Sequence, residues 1–230
     1  MDFLRPTRWA DALQAKAEHP GAVPLCGGTD VMVELNFDQH RPPALLDLTR
    51  VTELADWCTE AGRIRLGSAV TYARVIDELA STLPGLAMAS RTVGSPQIRN
   101  RGTVGGNLGA ASPAGDAHPA LLATDAVVEV ESVRGVRQIP IEEFYTGVKR
   151  HALEADELIR AVLVPGSDGP QQFCKIGTRN AMVISVAAFA VALHPGTRSV
   201  GTGVGSAAPT PLRAPEAGRY LAGALEEAGL

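Results

Sequence analysis

Arg101-Gly-Thr-Val-Gly-Gly-Asn107-Leu-Gly-Ala-Ala-Ser112-Pro-Ala-Gly-Asp116-Ala-His118-Pro-Ala-Leu-Leu-Ala-Thr-Asp125 joins a glycine pair, an amide, a carboxylate and an apolar run in one stretch. A second glycine-rich segment, Leu25-Cys-Gly-Gly-Thr-Asp30, lies near the N-terminus. Two such loops, each beside an apolar segment, could grip the two ends of one extended phosphate-bearing ligand. Glycine lets a backbone approach an oxygen closely, and the freed N–H groups can then bind an anion. Neither loop has the lysine of a P-loop or the GxGxxG spacing of a dinucleotide fold.

Around these loops, composition narrows the classes. The chain has 230 residues, enough for one large domain or two to three lobes, and 45% hydrophobic residues, enough for a substantial core. A net charge of −4 argues against a nucleic-acid partner. No run of about 18 apolar residues predicts a membrane span. The segment Met1–Pro6 lacks the basic-then-apolar pattern of a signal peptide, so a cytoplasmic location is expected. Cys26, Cys58 and Cys174 are widely spaced, and the five histidines are scattered. No metal site is therefore expected in this chain. No Ser/His/Asp or paired-carboxylate arrangement nominates a catalytic residue.

Periodicity predicts a helix over 7–19 with Thr7 as N-cap, a strand at Val23–Cys26, a helical turn at Val31–Leu35 and a strand at Leu45–Leu48. A strand over 62–67, a Thr71-capped helix through Leu79 and a helical stretch from Pro84 to about Thr92 follow. After the glycine loop comes a helix through about Thr124, then strands at Ala126–Val130 and Leu158–Val164. Gln171–Gly177, Met182–Leu193 and Ser199–Ser206 read as an antiparallel meander, closed by a helix over 213–228.

The block Ala89–Asn107, with its Thr-Val-Gly-Gly-Asn core followed by Ser112-Pro113 and Asp116, resembles the FAD-binding subunits of the molybdenum hydroxylases, the xanthine dehydrogenase and carbon monoxide dehydrogenase family. Gly27–Asp30, Leu158–Pro165, Phe173–Arg179 and Ala207–Arg213 support the resemblance. It implies an α+β, two-lobed FAD-binding fold of the PCMH type. Residues 1–170 would form the FAD-binding domain, with a small N-terminal α/β lobe (about 1–55) and a larger α+β middle lobe (about 56–170). Residues 171–230 would form a shortened C-terminal domain of antiparallel sheet plus helix.

The same resemblance assigns the site. Pro24, Leu25, Cys26, Gly27, Gly28, Thr29, Asp30 and Val31 match the first FAD loop. Thr103, Val104, Gly105, Gly106 and Asn107 match the second. The glycines would admit the pyrophosphate, and Asp116 would accept from cofactor hydroxyls, with N-capping of the next helix as its competing role. Val93 and Ile159 align with apolar neighbours of the flavin ring, or are simple core. Lys175 aligns with a lysine near the ring, or lies on the surface. Arg179 would line a mobile loop over the ring, or is simply a solvated arginine. His118 is not expected to bond the flavin, so FAD would be non-covalent. Implied partners are a molybdopterin-binding large subunit and a small subunit with two [2Fe–2S] clusters, with NAD among the electron acceptors. A stand-alone flavin oxidoreductase and a non-catalytic assembly module remain as alternatives.

Overall fold

A computed structural model describes residues 1–229; Leu230, placed with the C-terminal domain above, lies outside the described residues. The chain begins with β1 (Asp2–Leu4), α1 (Trp9–Glu18), β2 (Val23–Leu25), α2 (Val31–Asn36) and β3 (Ala44–Asp47). The strands form a parallel sheet in the order β1-β3-β2. Its central strand β3 is buried at every position, as a parallel strand covered on both faces should be. Trp9, Ala12 and Leu13 of α1 pack with Leu46, Leu48, Val51 and Leu54. The helix starts later than expected, and Thr7 is not its cap. Arg8 holds that position, and its guanidinium pairs with Asp11 at 2.6 Å instead of capping.

The middle region contains β4 (Trp57–Glu60), β5 (Arg63–Gly67), α3 (Tyr72–Glu78), α4 (Pro84–Thr92), α5 (Pro96–Arg99), α6 (Val104–Ala110) and α7 (Ala117–Ala123). It continues with β6 (Val127–Ser132), β7 (Gly135–Pro140), α8 (Ile141–Phe144), β8 (Tyr145–Gly147), β9 (Arg150–His151) and β10 (Leu158–Pro165). A five-stranded antiparallel sheet runs β4-β5-β10-β6-β7. Helix α7 is the centre of the molecule, with every residue from Ala117 to Ala123 buried.

Two local readings change here. The glycine pair Gly105-Gly106 is not in a loop but in the first turn of α6, where Thr103 Oγ1 accepts from the Gly106 N–H at 2.9 Å. The single helix expected through Thr124 is two helices. Ala111 ends α6 in a left-handed conformation (φ 45°), and Ser112-Pro113 carries the chain away before α7.

β11 (Gln171–Ile176), β12 (Ala187–His194) and β13 (Ser199–Gly205) form the expected antiparallel meander, followed by α9 (Pro215–Glu227). β12 begins at Ala187 rather than Met182. Met182 takes φ 50°, and Ile184 and Val186 are exposed, so the preceding residues form a projecting loop. The sheet lies directly on α7: a Cβ at Gly201 or Gly203 would collide with the carbonyl of Ala123 or Pro119. Alternate glycines on β13 thus let helix and sheet touch through backbone.

Candidate functional site

The two glycine segments meet. A cleft of about 600 Å³ lies between the N-terminal and middle regions, within the size range of small-molecule pockets. Pro24, Cys26, Gly27, Gly28, Thr29, Asp30 and Val31 line one side, and Thr103, Gly105, Gly106 and Asn107 another, with Val93 and Ile159 also exposed to it. The contact between the segments is backbone to backbone. A Cβ at Gly27 would collide with the Arg101 carbonyl; within the middle region, one at Gly105 would fall 2.6 Å from the Ser68 carbonyl oxygen. These two glycines let the chain meet itself. Gly28 instead takes φ 75°, turning the backbone at the cleft wall.

Backbone hydrogen bonding separates the two segments. Val104, Gly105 and Asn107 donate to Val70, Ser68 and Thr103 carbonyls at 3.1, 3.2 and 3.0 Å, and Gly106 donates to Thr103 Oγ1. In the first loop, by contrast, no group among the described residues accepts from the N–H of Gly27, Gly28, Thr29, Asp30 or Val31. Only that loop presents a row of free donors, the arrangement that suits an anion.

The cleft also collects buried polar atoms. Ser68, Tyr72, Asn107 and His151 are among its lining residues, and their Oγ, OH, Oδ1 and Nδ1 atoms are buried without a partner among the described residues. Buried polar groups are nearly always satisfied, so four such atoms on residues around one cleft are unusual. Burial, then the Asp116 and Asp30 carboxylates, push the Tyr72 hydroxyl well above its ordinary range, so it stays neutral. Burial and Asp47 push the Cys26 thiol up to about 11, the Thr103 hydroxyl opposing, so it is no reactive thiolate. Sequence reasoning missed Ser68, Tyr72 and His151. Tyr72 fell inside the helix expected from Thr71 through Leu79, and nothing local marks the other two.

Four of the proposed site residues do not line the cleft. Leu25 sits in β2, its carbonyl accepting from the Leu48 N–H at 2.9 Å. Val104 is fully buried in the core. Asp116 and Lys175 are joined to each other behind it, Lys175 Nζ to Asp116 Oδ2 at 2.6 Å, with side chains 9% and 6% exposed. Thr92 Oγ1 lies 3.0 Å from the same carboxylate oxygen and 2.7 Å from the Ala89 carbonyl, which compete for its one proton, and Lys175 reaches the Thr92 carbonyl at 3.3 Å. Lys175 is therefore no surface lysine. Asp116 occupies the N-cap position of α7 but makes no cap bond, and its Oδ1 is buried without a partner among the described residues. Lys175 also lines a second cavity of about 810 Å³ with Thr92, Gly94, Arg99 and Arg179. Arg179 there donates to the Ala181 and Met182 carbonyls and so shapes its own loop.

Ile159 reaches the cleft where the pairing of β10 with β6 shifts between Ile159 and Ala161, a bulge that re-aims a side chain. His118 is fully buried, its Nδ1 2.7 Å from the Tyr145 hydroxyl, and burial pushes its pKa down to about 3. Among the described residues no group of three or more His, Cys, Asp or Glu is arranged to hold a metal, and no helix is long and apolar enough to cross a membrane.

Comparison with known proteins agrees with this geometry. Residues 1–167 match the family described as the FAD binding domain in molybdopterin dehydrogenase. The nicotinate dehydrogenase FAD-subunit of Eubacterium barkeri is 35% identical over 195 residues, 80% of this chain and 66% of that one, so the match spans slightly less than two thirds of its length. The xanthine dehydrogenase FAD-binding subunit of Escherichia coli is 36% identical over 221 residues, 92% of this chain and 75% of that one. Among solved structures, Cu,Mo-CO dehydrogenase superposes with a TM-score of 0.90 at 28% identity, covering 95% of this chain and 79% of that chain. Quinoline 2-oxidoreductase from Pseudomonas putida 86 gives 0.89 at 26% identity, covering 96% and 79%.

Proposed function

The chain belongs to the FAD-binding domain family of the molybdopterin dehydrogenases, and from that premise we propose that it is the FAD-carrying electron-transfer subunit of a molybdenum hydroxylase. The observation that carries this reading is the first loop, which lines the cleft and whose backbone N–H groups from Gly27 to Val31 find no acceptor among the described residues. The residues fit FAD. The N–H groups of Gly27–Val31 would hold the diphosphate. Tyr72 OH, Ser68 Oγ and Asn107 would meet cofactor hydroxyls and ring heteroatoms. Val93 and Ile159 supply apolar wall that keeps water from the ring. FAD, when bound, supplies the capacity to take up two electrons and pass them on.

The polypeptide binds, orients and sets charge. Lys175 and Asp116 fix one positive and one negative group beside Thr92, and Asp116 Oδ1, without a partner among the described residues, remains able to accept a hydrogen bond. His118 is enclosed with Tyr145, which favours non-covalent FAD. Residues 1–170 would form the FAD-binding domain and 171–230 the C-terminal one. Cys26, Cys58 and Cys174 are free and far apart in sequence, so the iron–sulfur relay falls to a [2Fe–2S] small subunit and the substrate chemistry to a molybdopterin-binding large subunit. Electrons would pass from those clusters to FAD and on to NAD or another acceptor, in the cytoplasm.

Two measurements test the reading. Acid precipitation of the FAD-loaded chain should release all flavin to the supernatant. The isolated chain should be reduced by dithionite but not by purines, aldehydes or carbon monoxide, whereas with both partner subunits a substrate should bleach the flavin. Substrate-driven reduction by the chain alone, free of iron and molybdenum, would overturn the relay and favour a stand-alone flavin oxidoreductase.

A further inference from the structure

We propose that Lys149 is the side-chain cation for the ligand's diphosphate, and that Glu34 holds it over the cleft until the ligand arrives. The inference rests on the FAD reading and deepens it. The first loop offers neutral N–H donors, and the carboxylates nearby oppose an anion: Asp30 of the loop and Glu34 of α2 both line the cleft. Any side-chain cation for a diphosphate there comes from elsewhere. Two lysines line the cleft. Lys16 is committed: its buried ammonium donates to the Pro20 and Ala22 carbonyls, each at 2.7 Å.

Lys149 is placed differently. It stands in the turn between β8 and β9, and its Nζ meets Glu34 Oε1 of α2 at 2.7 Å. The pair joins the two walls of the cleft at side chains 52% and 30% exposed, so the ammonium is free to exchange partners. The backbone of Lys149 is left-handed, φ 52°, a conformation that favours glycine or asparagine. Its N–H is anchored to the Ala111 carbonyl at 3.2 Å, at the end of α6. A lysine therefore stands where the backbone alone would prefer another residue, and its side chain points at the carboxylate that borders the anion loop.

Exposed ion pairs contribute little to stability, about 0–1 kcal/mol, so a stabilising role explains the arrangement poorly. Hand-over of the ammonium from Glu34 to a phosphate makes an unusual demand: the two members of one ion pair must affect binding in opposite directions. Losing Lys149 removes the cation. Losing the Glu34 charge frees the cation and removes a repulsion.

The test is FAD and ADP titration of the ligand-free chain, read by flavin fluorescence and calorimetry, for Lys149→Asn, Lys149→Arg and Glu34→Gln. Asparagine tolerates the left-handed turn, and circular dichroism checks each fold. Lys149→Asn should raise both dissociation constants about tenfold, equal to about 1.4 kcal/mol. Lys149→Arg should restore most of the loss, and Glu34→Gln should tighten binding about threefold. Adenosine and riboflavin, which carry no phosphate, should bind all variants alike. If both Lys149→Asn and Glu34→Gln weaken binding, the pair is only a brace and the proposal falls. Unchanged FAD and ADP affinity in Lys149→Asn overturns it too, while leaving the FAD reading intact. Failure of the unaltered chain to bind FAD at all would remove the FAD reading itself.

Discussion

Asp116 and Lys175 form an ion pair with side chains 6% and 9% exposed, and the energy of such a pair depends on both members staying. Removing one leaves a buried, uncompensated charge, which costs about 3–5 kcal/mol. Lys175→Met should therefore lower the unfolding free energy of the ligand-free chain by about 3 kcal/mol in urea titration. Adding Asp116→Asn should recover more than half, because it removes the buried charge that the first substitution strands. Equal stability of Lys175→Met and the unaltered chain would mean that the pair is hydrated in solution. His118 supplies a pH signature. Its folded pKa is held near 3 by burial, while the unfolded chain titrates near the ordinary 6.5. The unfolded state thus binds more protons in that window, and stability falls as pH drops from about 6.5 toward 3. The slope from this one group approaches about 1.4 kcal/mol per pH unit. His118→Gln should flatten the acid limb by about one proton in urea titrations at pH 5 and pH 4, and an unchanged slope would place the acid sensitivity elsewhere. Sequence singled out His118 for its chemistry, but its burial comes from the packing of α7, which no local pattern displays.

Short helices with polar caps frame the cleft. Thr71 and Thr103 each accept from a backbone N–H three residues on, Arg74 at 3.3 Å and Gly106 at 2.9 Å, and the two threonines are themselves bridged. Thr103→Ala should cost about 1 kcal/mol of stability, the usual value of a lost N-cap. It should weaken FAD binding less than Lys149→Asn does, because the first-loop donors remain; a reversed order would move the anion site to α6. These caps show what a sequence can disclose. Thr71 was legible because apolar positions Tyr72, Val75 and Leu79 follow it at helical spacing. Strand β6 was legible because Val128 and Val130 alternate inward. Strand β7 was not, since only Ile139 among its residues is buried and no alternation marks its exposed face. Edge strand β4 is exposed at three of its four positions and hid for the same reason. For the site, the glycine pairs were visible as a pattern. That Gly27 and Gly105 serve chain-to-chain contact, while the first loop alone keeps free donors, depends on which backbone each one faces.

Across the whole molecule the two regions bordering the cleft are fastened at opposite ends. Away from the cleft, Trp9 of α1 donates its ring N–H to Glu131 of β6 at 2.6 Å, and Arg160 of β10 meets the same carboxylate at 2.6 Å. Leu158 of β10 completes the N-terminal core. At the cleft itself, the exchangeable pair Lys149–Glu34 adds to the backbone contact of Gly27 with Arg101. A ligand seated between the regions should therefore stabilise them together, by about 2.7 kcal/mol at a free concentration one hundred times its dissociation constant. Trp9→Phe tests whether the rear joint also shapes the cleft. It removes one hydrogen bond and some packing volume but leaves Arg160 on Glu131, so the ligand-free chain should lose about 1–3 kcal/mol. Neither Trp9 nor Glu131 lines the cleft, and effects of separate sites add. The stabilisation that FAD confers should then be the same in Trp9→Phe as in the unaltered chain, within about 0.5 kcal/mol. A larger change, seen by comparing urea titrations with and without FAD, would mean that the two regions shift as bodies about α1 and that the rear joint sets the width of the cleft.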